Sequence, residues 1–439
     1  MTKCLIFILL LHKMSCFFLN NERKKMLKSY FKKALCLMTL MSASAAYAGS
    51  YQLNDYSVTG LGRSYAGQGI MGDDYSAIAY NPAGMTLMKK SGVQQSLSMI
   101  NLKSDMDGLG THAGQKAKMN FWQPIPAGFA QYNVNDRFSL GLGIYAPYGL
   151  KTEYNSNWFG ADAAILSKLD IVDFNLSAAY KIDNHWSIGA SAIVRYIYGR
   201  MTQKVPLMLP PGPAPLGGGD INFNVHGWTQ TGTLGVMYEV DENTRFGLSY
   251  RLRSAQRANG KFKVSGNNYA PLNGVTDIHA NPDLPETVTF SAYHRYKDVG
   301  FSGTARWTHW TSSFPNFVVR TDSPLMPGGK KDTQYRYENS WTLTGGVDYY
   351  YNDNWTFRFG GGWDESPTHK PERRTVRIPD NDRWWMSVGS SYMKNNWQFD
   401  FAYAHMIGKT GKALEDATIQ AKYKNLQSNI FGVQVQYKF

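Results

Sequence analysis

The feature that most limits what this chain can fold into is a period-two apolar pattern, repeated along most of its length and interrupted alternately by short and long connections. At the C-terminus Phe431, Val433, Val435, Tyr437 and Phe439 alternate with Gly432, Gln434, Gln436 and Lys438. Successive side chains of a strand point to opposite faces, so this segment has one apolar and one polar face throughout. The same holds for Trp397, Phe399, Phe401 and Tyr403, for Trp355, Phe357 and Phe359, for Phe246, Leu248, Tyr250 and Leu252, and for the segment from Trp186 to Tyr196. Tight turns rich in Asn and Asp fall at 134–137, 182–185, 240–243, 296–298, 351–354 and 393–396. Between them lie long connections near 104–119, 149–169, 201–222, 258–285, 312–338, 365–382 and 408–424. Six short and seven long connections, strictly alternating, join fourteen strands. Short turns on one side and long loops on the other are the arrangement of an outer-membrane barrel. A soluble sandwich would turn its charged face outward and leave inward-facing arginines unexplained. Trp186, Trp355 and Trp397 each follow a tight turn directly, which sets an indole at the inner membrane interface.

Composition agrees with this fold class. After the first 48 residues no run of about 18 apolar residues occurs, so no transmembrane helix is expected. The 28 Tyr, 22 Phe, 12 Trp and 42 Gly are heavy counts for a soluble chain. A barrel explains them, because alternation of lipid-facing and lumen-facing residues hides the apolar band from averaged hydropathy.

The N-terminus reads as a leader. From Met26 it runs through Lys28, Lys32 and Lys33, an apolar stretch 34–41, and small residues closing on Ala46-Tyr47-Ala48, the order of a secretory signal cleaved after Ala48. Residues 1–25 are surplus and read as a start codon assigned too early. Cys4, Cys16 and Cys36 all precede the cleavage point, so disulfides, thiolate catalysis and Cys-metal sites are excluded from the mature chain. The leader also holds eight of the 46 Lys and Arg and one of the 33 acids, which leaves a mild net charge of +6 and no basic cluster of a nucleic-acid footprint. No metal or cofactor is expected.

A fourteen-stranded cylinder is wider than the eight-stranded kind that side chains alone fill. Residues 49–90 lack period-two patterning and are rich in Gly, Ser, Ala and Tyr, as expected of a plug folded inside the barrel formed by 91–439. Gly60, Gly62, Gly67, Gly69 and Gly72 permit tight turns there, and Asn81-Pro82 enforces extended or turn geometry, with Ala83 next. Asp73 and Asp74 are expected to pair with lumen-facing arginines among Arg195, Arg251, Arg253, Arg306 and Arg358.

"YQLNDYSVTGLGRSYAGQG" followed by "NPAGM" resembles the hatch of the FadL-type transporters of long-chain fatty acids and aromatic hydrocarbons. The resemblance continues through "GLGIYAPYGLKTEY", "NPDLPE", "WTHWTSSF" and "WDESP" with "PDNDRWW", over nearly the whole mature chain. Ala161 departs from it, where the family has Arg after Trp-x-Gly. The resemblance implies an external apolar groove between the third and fourth long loops, and a kinked third strand that opens the wall sideways.

These expectations have local counterparts. The third long loop, with Leu207, Met208 and Leu209, is apolar and proline-rich although it should face water, which marks a binding surface. In the third strand Gly141 and Gly143 weaken pairing and Pro147 removes a ladder donor. Burying about fifteen CH₂ groups is worth on the order of 12 kcal/mol, so a lipid does not cross by diffusing down a wet pore. The expected route is the groove, then a pocket beside Tyr51 and Leu53, then the gap at the third strand. Arg320, with Arg195 second, is the expected partner of a substrate carboxylate. Outer-membrane lipid and lipopolysaccharide surround such a barrel, and Phe439 is the end that the barrel-assembly machinery reads. A general diffusion porin would need neither plug nor apolar loop. An enzyme is disfavoured because the mature chain has no G-x-S-x-G elbow, and His279, His294, His309 and His405 read as ordinary loop or strand residues.

Overall fold

The computed structural model describes residues 51–205, 218–313, 317–326, 328–415 and 419–439. The leader and its cleavage point, and Leu207, Met208 and Leu209 of the third long loop, lie outside the described residues. Nineteen strands, β1 to β19 in chain order, are present among those described. Fourteen of them make the wall: β1 Gly92–Gly108, β2 Lys116–Asn133, β3 Phe138–Glu153, β4 Leu166–Lys181, β5 Trp186–Lys204, β6 Asp220–Glu239, β7 Thr244–Arg251, β10 Thr287–Tyr296, β11 Val299–Thr308, β14 Ser340–Tyr350, β15 Trp355–Asp364, β16 Arg383–Lys394, β17 Trp397–Gly408 and β19 Ile419–Lys438. Each wall strand is antiparallel to its neighbours, and β1 closes on β19 from Gly92 opposite Lys438 to Gly108 opposite Ala421. The remaining five, β8 Ala258–Ser265, β9 Gly274–Ala280, β12 Phe317–Thr321, β13 Lys330–Thr333 and β18 Gly411–Glu415, belong to the long connections. Four of these extend one outer sheet from the far end of β6, in the order β8, β9, β12, β13.

The direction of the side chains separates this barrel from a soluble one. On β19 Phe431 and Val433 are 46% and 50% exposed, whereas Gln434 and Gln436 between their successors are 5% and 0% exposed. Apolar residues face out and amides face in, as lipid demands. All six tight turns join wall strands, and each of the three tryptophans beyond them packs on a tyrosine of the adjoining strand. Trp186 meets Tyr238 at 4.7 Å, Trp355 meets Tyr392 at 4.8 Å and Trp397 meets Tyr437 at 4.7 Å between ring centroids.

The chain from Tyr51 to the start of β1 fills the lumen. It contains two short helices, α1 Val58–Gly62 and α2 Ala77–Tyr80, and a 3-10 turn Pro82–Leu87. Gly67, Gly69 and Gly72 have φ of 71° to 73°, the left-handed region expected of them. Gly62 serves differently: a Cβ there would sit 3.0 Å from the backbone of Gly389, so its bareness lets α1 lie against β16.

Candidate functional site

β3 is where the wall is irregular. Its ladder to β4 skips between Tyr145 and Tyr148, leaving Ala146 and Pro147 opposite the single residue Val172, a β-bulge. Proline has no N–H to give the ladder, which explains why the break falls there. On the other edge the break goes further. β2 pairs with β3 only from Asn133 opposite Ser139 to Gly128 opposite Ile144, although β2 continues back to Lys116 and stays paired with β1 over that length. Beyond Ile144 the two strands part.

The edge of β3 that β2 vacates is taken by the first described residues of the plug. Gln52 bridges Tyr148, the Leu53 N–H donates to the Pro147 carbonyl at 2.8 Å, and the Gly149 N–H donates to the Tyr51 carbonyl at 2.8 Å. A three-residue segment of the plug therefore substitutes for a wall strand, from inside.

Gly141 and Gly143 do not loosen the strand as the sequence suggested. Both remain paired on both sides, to Gln131 and Ser177 and to Phe129 and Asn175 respectively. A Cβ on Gly141 would lie 2.7 Å from Ile78 and 2.8 Å from Met85, so this glycine makes room for the plug. The break belongs to Pro147.

Tyr51 and Leu53 enter two different apolar clusters. Tyr51 is 2% exposed, edge-on to Trp310 at 5.2 Å and tilted against Tyr148 at 5.9 Å, among Leu150, Ile171, Ile197 and Leu284. Leu53 packs with Ile100, Ile125, Ala146, Ala404 and Ile430. Trp310 and Tyr148 are the anchors that sequence reasoning missed as site residues. Tyr148 could have been read from its place right after the strand-breaking proline.

Beside these clusters stand buried cations already engaged by the protein. Arg195 donates from Nε and Nη2 to the two oxygens of Asp173 at 2.6 and 2.9 Å, and from Nη1 to Ser254 at 2.7 Å. It also lies over the Tyr148 ring at 5.4 Å. Arg251 donates to the Tyr145 hydroxyl at 2.6 Å, and Arg306 to the Asn54 side-chain oxygen, next to Leu53. Arg320 is not in this group. On β12 its neighbours Phe317 and Val319 pack toward the apolar interior, and alternation turns Arg320 to the exposed face.

The rest of the plug is bolted down. Asp73 meets Arg63 of the plug and Arg358 of β15, the latter at 3.2 Å, and Arg63 also binds Asp348 of β14. Burial pushes the Asp73 carboxyl upward, but the adjacent Arg63 and Arg358 guanidiniums outweigh it and hold the value at about 2. Among the described residues Asp74 takes no arginine; it accepts from the hydroxyls of Ser57, Thr59 and Ser76. Asn81 donates to the Val236 carbonyl at 3.2 Å and caps the Pro82–Leu87 turn by accepting from the Ala83 N–H. Pro82 and Ala83 press on Gly189 of β5, where a Cβ would come within 2.4 Å of both. A cavity of about 20 Å³ in the plug beside Arg63 and Asp73 has room for about one water.

Comparison with known proteins gives one consistent picture. A family model described as "Outer membrane protein transport protein (OMPP1/FadL/TodX)" matches residues 39–439. A long-chain fatty acid transport protein of Escherichia coli O157:H7 is 28% identical, over 93% of this chain and 99% of the relative. Among solved structures, a Pseudomonas aeruginosa FadL homologue superposes with a TM-score of 0.79 at 24% identity, covering 89% of this chain and all of that one. The Pseudomonas putida toluene transporter TodX superposes at 0.67 with 17% identity, covering 89% and 100%.

Proposed function

We propose, for a chain that belongs to the OMPP1/FadL/TodX family of outer membrane transport proteins, that the hydrophobic substrate it carries across the outer membrane is a long-chain fatty acid and that it leaves sideways between β2 and β3. The observation that carries this reading is the plug segment Tyr51–Leu53 seated on the edge of β3 that β2 has left. A substrate chain and the Tyr51 and Leu53 side chains compete for the same apolar surroundings. Displacing the segment frees the Pro147 carbonyl and the Gly149 N–H and uncovers the wall beside Ala146. The lumen below is closed by the Arg63–Asp73–Arg358 bolt, so the open direction is lateral.

The family's chemistry is transport, and the site fits it: apolar walls with buried cations at their edge, and no assembled nucleophile and base among the described residues. A fatty acid is favoured over a hydrocarbon because Arg195 and Arg251 share the single carboxylate of Asp173 and Arg306 donates to the neutral Asn54 and Thr342, so three cations at the edge of the apolar clusters face one anion and a substrate carboxylate would redress the balance. Deletion of residues 50–54 tests the reading. In cells lacking their own transporter, uptake of radiolabelled oleate should be abolished while heat-shifted electrophoretic mobility shows a folded barrel. Unchanged oleate uptake by the folded deletion overturns it. Loss of toluene uptake with oleate entry intact would assign the site to hydrocarbons.

A further inference from the structure

We propose that the outer surface of β1, β2, β18 and β19, just above the apolar belt, is a binding site for the phosphate groups of lipopolysaccharide. The register assembles it. Lys116 stands opposite Asp107, Asp107 opposite Lys422, and Lys422 opposite Lys412, one row across four neighbouring strands. The next row toward the membrane sets Lys118, Asp105 and Lys424 side by side, and the next places Lys103 between Asn120 and Gln427. Six lysines thus face two aspartates in a patch about 14 Å wide, three strand spacings.

These side chains point outward, because their alternating neighbours Met106, Ala117, Met119, Ala413, Ala421 and Tyr423 form a buried cluster inside. Lys424 is paired with Asp107 at 2.6 Å, and Asp105 accepts from Asn425 at 2.8 Å. Among the described residues Lys103, Lys116, Lys118, Lys412 and Lys422 have no carboxylate within ion-pair range. Elsewhere at this end of the barrel Lys204, Lys261 and Lys409 each hold one, at 2.7, 2.7 and 2.8 Å. Lys412 directly opposite Lys422 is a like-charge pair that destabilises the sheet unless an anion lies between.

The patch selects a lipid over a soluble anion or a nucleic acid by what lies beneath it. Trp122, Leu97, Phe431 and Val433, on the outward faces of the same strands, are 54%, 38%, 46% and 50% exposed. Lys103 is only a few residues above Met99 on β1, about 13 Å along the strand. A molecule with acyl chains on that belt carries its phosphates at the height of the lysines, which attract them. The unpaired half of β2 forms one side of this patch, so the bound lipid would flank the β2–β3 opening.

The test uses the full chain purified in detergent and native mass spectrometry with bis-phosphorylated lipid A. K116Q/K118Q/K412Q/K422Q, which spares the Lys424–Asp107 pair, should bind it about tenfold more weakly or worse. Wild type should likewise bind enzymatically dephosphorylated lipid A more weakly, and K261Q/K263Q, on β8, should behave as wild type. Equal binding by the quadruple variant, equal binding of the dephosphorylated lipid, or an equal loss in K261Q/K263Q each overturns the assignment. The lipid comparison on wild type decides the question even if the quadruple variant does not fold.

Discussion

Tyr51→Ala is the perturbation that tests the seated plug segment most directly. The Tyr51 ring is 2% exposed and rests against Trp310 and Tyr148. Truncating a buried aromatic side chain to Ala costs about 3 kcal/mol. The ring anchors only the leading segment of the plug, while the wall ladders and the Arg63–Asp73–Arg358 bolt do not depend on it. The cost should therefore appear as easier local opening, by about a hundredfold. Two amides report on it, those of Leu53 and Gly149, which donate across the contact at 2.8 Å each. In hydrogen exchange followed by mass spectrometry, peptides covering these amides should exchange about a hundredfold faster in the variant, with β1 and β19 unchanged. Tyr51→Phe, which keeps the ring, should stay within severalfold of wild type. Unchanged exchange at Leu53 would refute the claim that the ring holds the segment. A uniform rise across the wall would refute the claim that the effect is local.

Other outcomes follow from the same contacts. Gly235→Val should lower the temperature of the heat-induced mobility shift, because a Cβ there lies 2.0 Å from the Asn81 side-chain oxygen, whereas Gly345→Ala, with nothing within 4 Å, should not. Asp73→Asn leaves Arg63 and Arg358 sharing Asp348 alone and should destabilise the plug by about 3 kcal/mol, read as higher single-channel conductance in planar bilayers. Because the Asp73 value is held down to about 2 from 3.8, its contribution is full above the ordinary value and is lost as pH falls through about 2. Wild type should accordingly gain conductance on acidification through that window, and Asp73→Asn should not. Asp55 has the opposite sign: burial pushes its carboxyl up to about 6, the hydrogen bond from Tyr65 offsetting only part. Its contribution is present below the ordinary 3.8 and is lost as pH rises through about 6, so plug amides should be better protected at pH 5 than at pH 8 in wild type but equally protected in Asp55→Asn.

The wall was legible because period two is the only device that keeps one face in lipid and one in a packed lumen for an entire strand. The turns were legible because Asn and Asp at 135–136, 183–184 and 352–354 bond their own backbone, as Asp183 does to His185 and Trp186. The plug was legible mainly as the absence of period two. The strands within the long connections were not, since β8, β9, β12 and β13 pair beyond the membrane, where no lipid imposes an apolar face. Gly141 shows a second limit: a glycine that weakens a ladder and one that admits a neighbour look alike until the neighbour, Ile78, is in place. Arg320 shows a third, because the phase of an isolated loop strand depends on which face packs, and here Val319 won. Asp73 found Arg358, but Asp74 went to hydroxyls on its own plug, a choice decided by a turn that only the folded chain displays.

The place where β2 and β3 separate has a consequence for what happens after transport. Six residues of β2, Asn133 back to Gly128, remain zipped on the periplasmic side, which is about 13 Å of rise once strand tilt is allowed for. The hydrocarbon band of such a barrel is about 25 Å tall, so the seam opens near mid-depth and upward. On the lateral route proposed above, what emerges there enters the lipid of the outer leaflet and not water. Arrival in the periplasm then requires a flip across the remaining leaflet and a desorption, steps whose rates belong to the cargo and the membrane, and which no change to this protein's interior will speed.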